Sequence, residues 1–170
     1  MSPEAELARL YDAHATALYA FGMSLTRDQD DTRDLLQEVF VRLARDPSRL
    51  LGLRDERHYL LRLLHNAAID LFRRRHTRAA ASEALAAQPR PTFAPSPDPD
   101  EQVHRDALAL ALSELPPEQR QVLHLKLWEN LTFEAIADLL RIPLNTAASR
   151  YRYGLDKLRH RLRPLYEEIR

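Results

Sequence analysis

The sequence contains no cysteine, which excludes disulfide bridges and cysteine-ligated zinc sites. It also lacks an apolar run long enough to cross a bilayer, and its start, Met1 to Glu6, does not form a basic and apolar secretory leader. We therefore expect a cytoplasmic protein without membrane insertion, held together by helix packing.

Signals for β-structure and internal repeats are missing as well, and only 3 of the 170 residues are glycine. Apolar residues instead recur at spacings of three and four, which indicates amphipathic helices and an all-α fold class. Three such stripes in the N-terminal half predict a three-helix bundle: Leu7, Leu10, Tyr11, His14, Leu18, Phe21 and Leu25; Leu36, Val39, Phe40 and Leu43; and Leu60, Leu63, Leu64, Ala67 and Leu71.

Prolines concentrate within residues 89–99, among small and polar residues. Such a segment excludes helix and central strand and favours a linker. Downstream, helices are predicted for residues 103–114 and 117–129, the second opened by a proline at its first position. The predicted architecture is two small helical domains, at 1–78 and 103–170, joined by a flexible proline-rich linker at 79–102.

The formal net charge of zero conceals a separation of charge along the chain. Residues 54–78 carry 7 basic and 3 acidic side chains, and residues 119–170 carry 10 basic and 6 acidic side chains. The segments before and between them are acidic. This pattern suits a protein that touches nucleic acid at two places, because basic residues neutralise phosphates.

Residues 131–163 predict a helix-turn-helix. Thr132 can cap the first helix, Pro143 interrupts it, and Asn145 or Thr146 can cap the second. The second helix buries one apolar stripe, consisting of Leu144, Ala147, Tyr151, Leu155, Leu158, Leu162 and Leu165. We also interpret Trp128 as a core residue.

The opposite face of this second helix carries hydrogen-bond donors and positive charge, which a recognition helix needs to read base edges and grip phosphates. It predicts DNA binding through Thr146, Ser149, Arg150, Arg152, Tyr153, Lys157 and Arg159.

Three sequence motifs add a more specific indication. Asp-Leu-Leu-Gln-Glu-Val-Phe at 34–40 and His-Asn-Ala-Ala-Ile-Asp-Leu-Phe-Arg-Arg-Arg at 65–75 resemble region 2 of bacterial sigma factors. Leu-Pro-Pro-Glu-Gln-Arg-Gln-Val-Leu at 115–123, with the helix-turn-helix, resembles region 4. The chain is similar to the extracytoplasmic-function (ECF) class of the sigma-70 family, in which a linker joins these two regions.

The resemblance implies a sigma factor that binds core RNA polymerase, through the coiled coil of its largest subunit and its flap, and directs promoter-specific initiation. Region 2 would open the minus-10 element, and region 4 would read the minus-35 element. A dedicated anti-sigma factor is a possible further partner. The resemblance implies neither an enzyme nor a cofactor.

Carried over to this sequence, the resemblance assigns three sets of site residues. Those expected to bind polymerase form one polar stripe on the second helix: Asp34, Gln37, Glu38 and Val41. Those expected to bind and open minus-10 DNA combine positive charge, aromatic rings and an amide: Arg54, Arg57, Tyr59, Arg62, Asn66, Arg73, Arg74 and Arg75. The minus-35 set is the recognition face described above, with base readout by Thr146, Ser149, Arg150 and Arg152, and phosphate contacts by Lys157 and Arg159.

The turn departs from the family at two positions where relatives commonly have glycine, Arg141 and Asn145. If Arg141 adopts a left-handed backbone, it carries about 1 kcal/mol of strain. The capping box is incomplete because Ala135 stands where a glutamate would answer Thr132.

Other readings remain open at this point. A sigma-like adaptor could dock on polymerase without opening promoters, and a one-domain helix-turn-helix regulator could bind DNA without polymerase. The adaptor leaves the arginines at 73–75 unexplained, and the regulator leaves the motif at 34–40 unexplained. An enzyme would have to use the 7 histidines or scattered acids, which form neither a metal-ligand spacing nor a nucleophile pattern.

Overall fold

The computed structural model describes residues 2–79 and 96–168. Within these ranges every regular element is helical, which confirms the all-α fold class. The helices fall into two compact units, one with α1–α3 and the other with α4–α7. In chain order they are α1 (Pro3–Thr26), α2 (Gln29–Arg45), a short 3-10 helix (Pro47–Leu50), α3 (Glu56–Ala79), α4 (Pro99–Ser113), α5 (Pro117–Leu127), α6 (Phe133–Leu140) and α7 (Leu144–Glu168).

The N-terminal unit is the predicted three-helix bundle, in which each helix packs against the other two. The turn between α1 and α2 is tight because Arg27 ends α1 in a left-handed conformation and the carboxylate of Asp28 caps α2. At Gly22 a Cβ would lie 2.7 Å from Cγ2 of Thr32, so a missing side chain allows α1 and α2 to approach closely. The largest fully buried side chains of this unit include Leu10, Leu18, Phe21, Leu35, Leu43, Leu60, Leu61 and Leu64.

In the C-terminal unit, α7 packs against α4, α5 and α6. Its core combines the predicted stripe of α7 with the apolar faces of α4 and α5, through Ala111, Leu112, Leu115, Leu123 and Leu158, with Leu108, Tyr151, Leu155 and Leu162 packed against them. The prediction that Leu144 is buried is wrong, because this side chain is 45% exposed. Periodicity assigns a residue to a face, but it does not say how far along the helix the covering neighbours reach.

One boundary of the predicted linker also needs correction. The helix expected from residue 103 begins at Pro99, because the side chain of Asp98 accepts a hydrogen bond from the backbone N–H of Asp100 at 3.0 Å and proline fits the first helical turn. Residues 99–102 are therefore helical, and so is Ala79 at the end of α3. Residues 96–98 are described and precede α4 without regular structure. The remaining part of the predicted linker, residues 80–95, lies outside the described residues.

Candidate protein and nucleic-acid interfaces

The four residues predicted to bind polymerase, which we call the docking stripe, do lie together on α2. Asp34 and Gln37 are exposed, and Val41 is 40% exposed. On the opposite side of α2, Val39 and Leu43 are buried in the bundle. Glu38 differs from its neighbours because its carboxylate pairs with Arg42 on the same helix and lies 3.8 Å from Nη2 of Arg74 on α3.

An apolar groove between α1 and α2 adjoins the docking stripe. The groove has a volume of about 520 Å³, and Tyr11 and Phe40 meet along it edge to face with their ring centroids 5.1 Å apart. Tyr11 was expected in the core but is 49% exposed. The sequence pattern placed it on the correct face of α1 and missed that α2 covers only part of the ring. Other residues that line the groove are Leu7, Leu36, Gln37, Val41 and Ala44.

The residues predicted to bind minus-10 DNA fall into three groups by their position on α3 or just before it. Tyr59, Arg62, Asn66 and Arg73 recur at helical spacing on one face of α3, and we call them the α3 row. The guanidinium of Arg62 lies over the ring of Tyr59, 5.9 Å from its centroid. Arg73 is exposed at the far end of this row, whereas Tyr59, Arg62 and Asn66 are half-buried. Arg54 and Arg57 are exposed where α3 begins.

Arg74 and Arg75 are not brought together with the α3 row, since both contact acids of α2. Nη1 of Arg75 donates a hydrogen bond to Oδ2 of Asp31 at 2.6 Å, and Nη2 donates to the other oxygen of the same carboxylate. These hydrogen bonds raise the pKa of Arg75. Asp31 was not among the predicted site residues. Asp31 lies three residues before Asp34 and seven before Glu38, and this helical spacing indicates that it shares a face of α2 with them.

The helix-turn-helix has the local geometry that the sequence predicts at its first helix. The hydroxyl of Thr132 accepts a hydrogen bond from the backbone N–H of Ala135 at 3.1 Å and caps α6. Arg141 ends α6 with φ 54° and ψ 49°, so the left-handed position is indeed filled by a residue with a side chain. Neither Asn145 nor Thr146 caps α7, because the carbonyl of Pro143 already accepts from the N–H of Thr146 and the helix begins at Leu144.

On the outer face of α7 the predicted DNA-binding residues form three rows. Thr146, Ser149 and Tyr153 lie in the middle, and Tyr153 is 54% exposed. Pairs spaced seven residues apart flank them on either side, Arg150 with Lys157 and Arg152 with Arg159. Within the described part of the chain, none of these four cations forms an ion pair with an acid. The hydroxyl of Ser149 donates to the carbonyl of Thr146 at 3.1 Å.

Close packing behind this face fixes the position of α7. At Gly154 a Cβ would lie 2.9 Å from Cδ1 of Leu123 and 3.2 Å from Cβ of Gln119, so α5 and α7 touch there. Trp128, interpreted as core, is 40% exposed because it follows the last residue of α5 and stacks on His124 at the edge of the unit, with ring centroids 5.5 Å apart. The described residues contain no group of acids and histidines that could hold a metal ion, and none of their helices is long and apolar enough to span a membrane.

Family comparisons agree with the two units. The model of sigma-70 region 2 matches residues 10–78, and the model of sigma-70 region 4 matches residues 111–160. A three-helix unit followed by a helix-turn-helix unit, each matched in this order, defines a sigma-70 protein.

Sequence relatives show to which group of sigma-70 proteins the chain belongs. SigE, an ECF RNA polymerase sigma factor of Mycolicibacterium smegmatis, is 34% identical over 156 residues, which cover 86% of this chain and 57% of that protein. The chain thus spans little more than half the length of SigE. SigL, an ECF RNA polymerase sigma factor of Mycobacterium tuberculosis, is 31% identical over 169 residues, which cover 95% of this chain and 92% of that protein. The chain belongs to the ECF family of RNA polymerase sigma factors.

A solved structure has the same fold. The sigma factor RpoE, in its co-crystal structure with the anti-sigma factor NepR from Bartonella quintana, superimposes with a TM-score of 0.79. The match covers 93% of this chain and 97% of RpoE at 20% sequence identity, so the likeness concerns the fold.

Proposed function

We propose that this chain binds core RNA polymerase and directs promoter-specific transcription initiation. The observation that supports the proposal is the composition of the N-terminal unit, in which the docking stripe on α2 and the α3 row occupy separate faces of one bundle. A protein contact and a DNA contact supplied by one small unit are what a promoter-opening subunit requires. The division of roles between residues 1–78 and 103–170, with a linker at 79–102, is part of this proposal.

At the docking stripe, the carboxylates and amide of Asp34, Gln37 and Glu38 complement a basic helical partner such as the coiled coil of the largest polymerase subunit. Val41 and the adjoining apolar groove supply area that can be removed from water when the partner binds. The flap of core polymerase is the proposed second contact of the chain.

The α3 row, together with Arg54 and Arg57, is proposed to receive the minus-10 strand. Tyr59, which has the guanidinium of Arg62 over one face of its ring, offers its other face as a stacking surface for an unpaired base. The amide of Asn66 can recognise a base edge, and Arg73 can contact phosphate.

The outer face of α7 is proposed to enter the major groove of the minus-35 element. In this arrangement Thr146, Ser149 and Tyr153 of the middle row would face base edges. The flanking cations, which form no ion pair with an acid among the described residues, would contact the two phosphate backbones. Arg150 and Arg152 in the first turns can also read bases.

Transcription in vitro with purified core polymerase on a library of genomic promoters tests the proposal. Specific start sites that require the chain support it. Binding to core without any start site would show a sigma-like adaptor, and binding to DNA without binding to core would show a helix-turn-helix regulator.

The proposed function places the chain in the cytoplasm, with core polymerase and the promoter. RpoE in its complex with NepR and CnrH in its complex with the cytosolic domain of CnrY suggest an anti-sigma factor as a further proposed partner. Co-purification of the tagged chain from its native cells, with and without inducing stress, tests for such a partner.

A further inference from the structure

Two carboxylates of α2 hold the arginine-rich end of α3. Asp31 receives both terminal nitrogens of Arg75, and the side chain of Asp31 is only 15% exposed in this pair. Glu38 lies 3.8 Å from Nη2 of Arg74. All four residues line one groove of about 300 Å³ between the two helices.

Pairing with the carboxylates weakens the attraction of these arginines for phosphate. A bidentate carboxylate fixes the planar guanidinium and offsets its charge at short range, so a paired arginine attracts phosphate less than an unpaired one. Arg73 provides the contrast within the same helix turn. It is exposed and, within the described part of the chain, has no carboxylate partner.

We propose that Asp31 and Glu38 form an internal restraint that occupies Arg75 and Arg74 and lowers the DNA affinity of the free chain. The inference rests on the proposed function, because it assigns the end of α3 to DNA. It adds a regulation of DNA affinity in which Glu38, a residue of the docking stripe, takes part.

Glu38 connects this restraint to polymerase. It belongs to the docking stripe, pairs with Arg42 through one carboxylate oxygen and lies 3.8 Å from Nη2 of Arg74 through the other. A basic helix that docks on Glu38 competes with Arg74 for the carboxylate, so that polymerase binding leaves Arg74 available for phosphate. Core binding and DNA binding are then coupled through one side chain.

The restraint is tested on the free, full-length chain with a fluorescein-labelled single-stranded oligodeoxynucleotide of mixed sequence, by fluorescence anisotropy. Asp31→Asn removes the charge that holds Arg75. We expect binding to tighten about fivefold near 0.1 M salt, with the salt dependence of log K steeper by about 0.7, which are the values for one additional phosphate contact to a single strand.

Asp30→Asn is the matched control, because it makes the same change of charge one residue away, at an exposed acid that lies 3.7 Å from Arg33 of its own helix. We expect this control to change affinity by less than about twofold, through long-range charge alone. A second comparison uses the Arg75→Ala background, where Asp31→Asn should bring no gain because the released arginine is absent.

Arg75→Lys provides an independent test should Asp31→Asn fail to fold. Lysine keeps the charge but cannot form the bidentate pair, so DNA binding should again tighten. Any one of three results would overturn the restraint. Asp31→Asn and Asp30→Asn could raise the DNA affinity equally, the gain from Asp31→Asn could persist in the Arg75→Ala background, or Arg75→Lys could bring no gain. Promoter-library transcription by wild-type holoenzyme is unaffected by these outcomes, and its failure alone would count against the proposed function.

Discussion

At the scale of single residues, two cations on the outer face of α7, Arg150 and Arg159, differ in position and exposure. Arg150 is half-buried near the start of α7, whereas Arg159 is exposed more than two turns further along. The beginning of a recognition helix usually enters the major groove, and its later turns pass the phosphate backbone. We therefore expect Arg150 to contact bases and Arg159 to contact phosphates.

We predict that Arg150→Ala lowers use of the best minus-35 sequence and flattens the preference at one or two base pairs, by about 1–3 kcal/mol of discrimination. Arg159→Ala should weaken binding to all sequences alike, with a shallower salt dependence. A minus-35 substitution series measured with each mutant holoenzyme separates the two effects. An unchanged specificity profile for Arg150→Ala would show that Arg152 or Ser149 reads the bases instead.

Single residues also show where sequence patterns are sufficient. Thr132 as a cap depends only on neighbouring backbone, and the structure contains that hydrogen bond. The left-handed conformation of Arg141 follows equally from the local turn. Tyr11 and Trp128 were placed in the core and are exposed by 49% and 40%, because exposure depends on how far a neighbouring helix extends, which local spacing does not contain.

At the scale of elements, the contact between α5 and α7 depends on the missing side chain of Gly154. Alanine there gains about 1 kcal/mol of helix propensity. Its Cβ, however, would lie 2.9 Å from Cδ1 and 3.3 Å from Cγ of Leu123, which is fully buried, and 3.2 Å from Cβ of Gln119. Overpacking of this kind costs about 1–3 kcal/mol, so the steric cost outweighs the propensity.

We predict that Gly154→Ala destabilises the chain by about 1 kcal/mol and weakens minus-35 binding, because α7 must shift away from α5. Chemical denaturation measures the first effect and duplex binding the second. In a Leu123→Ala background the cost of Gly154→Ala should shrink, since the clashing methyl is gone. Equal costs in both backgrounds would show that packing against Leu123 is not the cause.

A second element contact joins the start of α3 to α1. Nη2 of Arg9 donates to Oε1 of Glu56 at 2.5 Å, and Nε2 of His14 lies 3.6 Å from the other carboxylate oxygen. The hydrogen bond from Arg9 lowers the pKa of Glu56. The folded state therefore favours the carboxylate form of Glu56. The resulting stability is present above the unfolded pKa, about 4.3, and is lost as the pH falls through the lower folded pKa.

We predict that Glu56→Gln lowers the Tm by about 1–5 °C near neutral pH, because Arg9 loses its charged partner on α3. The difference from wild type should narrow as the pH falls below about 4. Thermal melts followed by circular dichroism across this range measure both effects. Asp12→Asn, at an exposed acid of α1, is the control and should leave the Tm nearly unchanged. A difference that stays constant with pH would exclude the ion pair as its source.

Element boundaries illustrate the same limit of local information. Pro117 was correctly expected to open α5. Pro99 falls within the predicted linker because four other prolines precede it within eleven residues. Asp98 followed by Pro99 is nevertheless a helix-start signal, and this local cap outweighs the high proline content of the segment before it.

At the scale of the whole molecule, the family, the all-α class and the faces of α2, α3 and α7 could be predicted from sequence. Each is carried by a motif or by a periodic stripe within one helix. The ion pairs of Arg74 and Arg75 could not, because they join residues more than thirty positions apart across two helices. Charge counts marked this end of α3 as basic, while the structure shows that α2 offsets part of that charge.

The docking stripe must be tested without disturbing these ion pairs. Changing Glu38 would also release Arg74, so a loss of core binding in that variant would have two explanations. Asp34 and Gln37 are exposed and, within the described ranges, form neither a salt bridge nor a side-chain hydrogen bond with another residue. Replacing these two residues removes polar groups from the stripe and leaves the contacts between α2 and α3 in place.

We predict that the double variant Asp34→Ala with Gln37→Ala binds core RNA polymerase about ten- to a hundredfold more weakly, the loss expected for two central interface side chains. Competition against wild type for purified core measures it. The control is Gln29→Ala with Asp30→Ala, which changes the same residue types at the start of α2, outside the stripe, and should retain core binding. Both variants should keep their helical content and their affinity for minus-35 duplex, because α7 belongs to the other unit. Undiminished core binding by the Asp34 and Gln37 variant would remove the stripe from the polymerase contact, and the apolar groove lined by Tyr11 and Phe40 would then be the next surface to test.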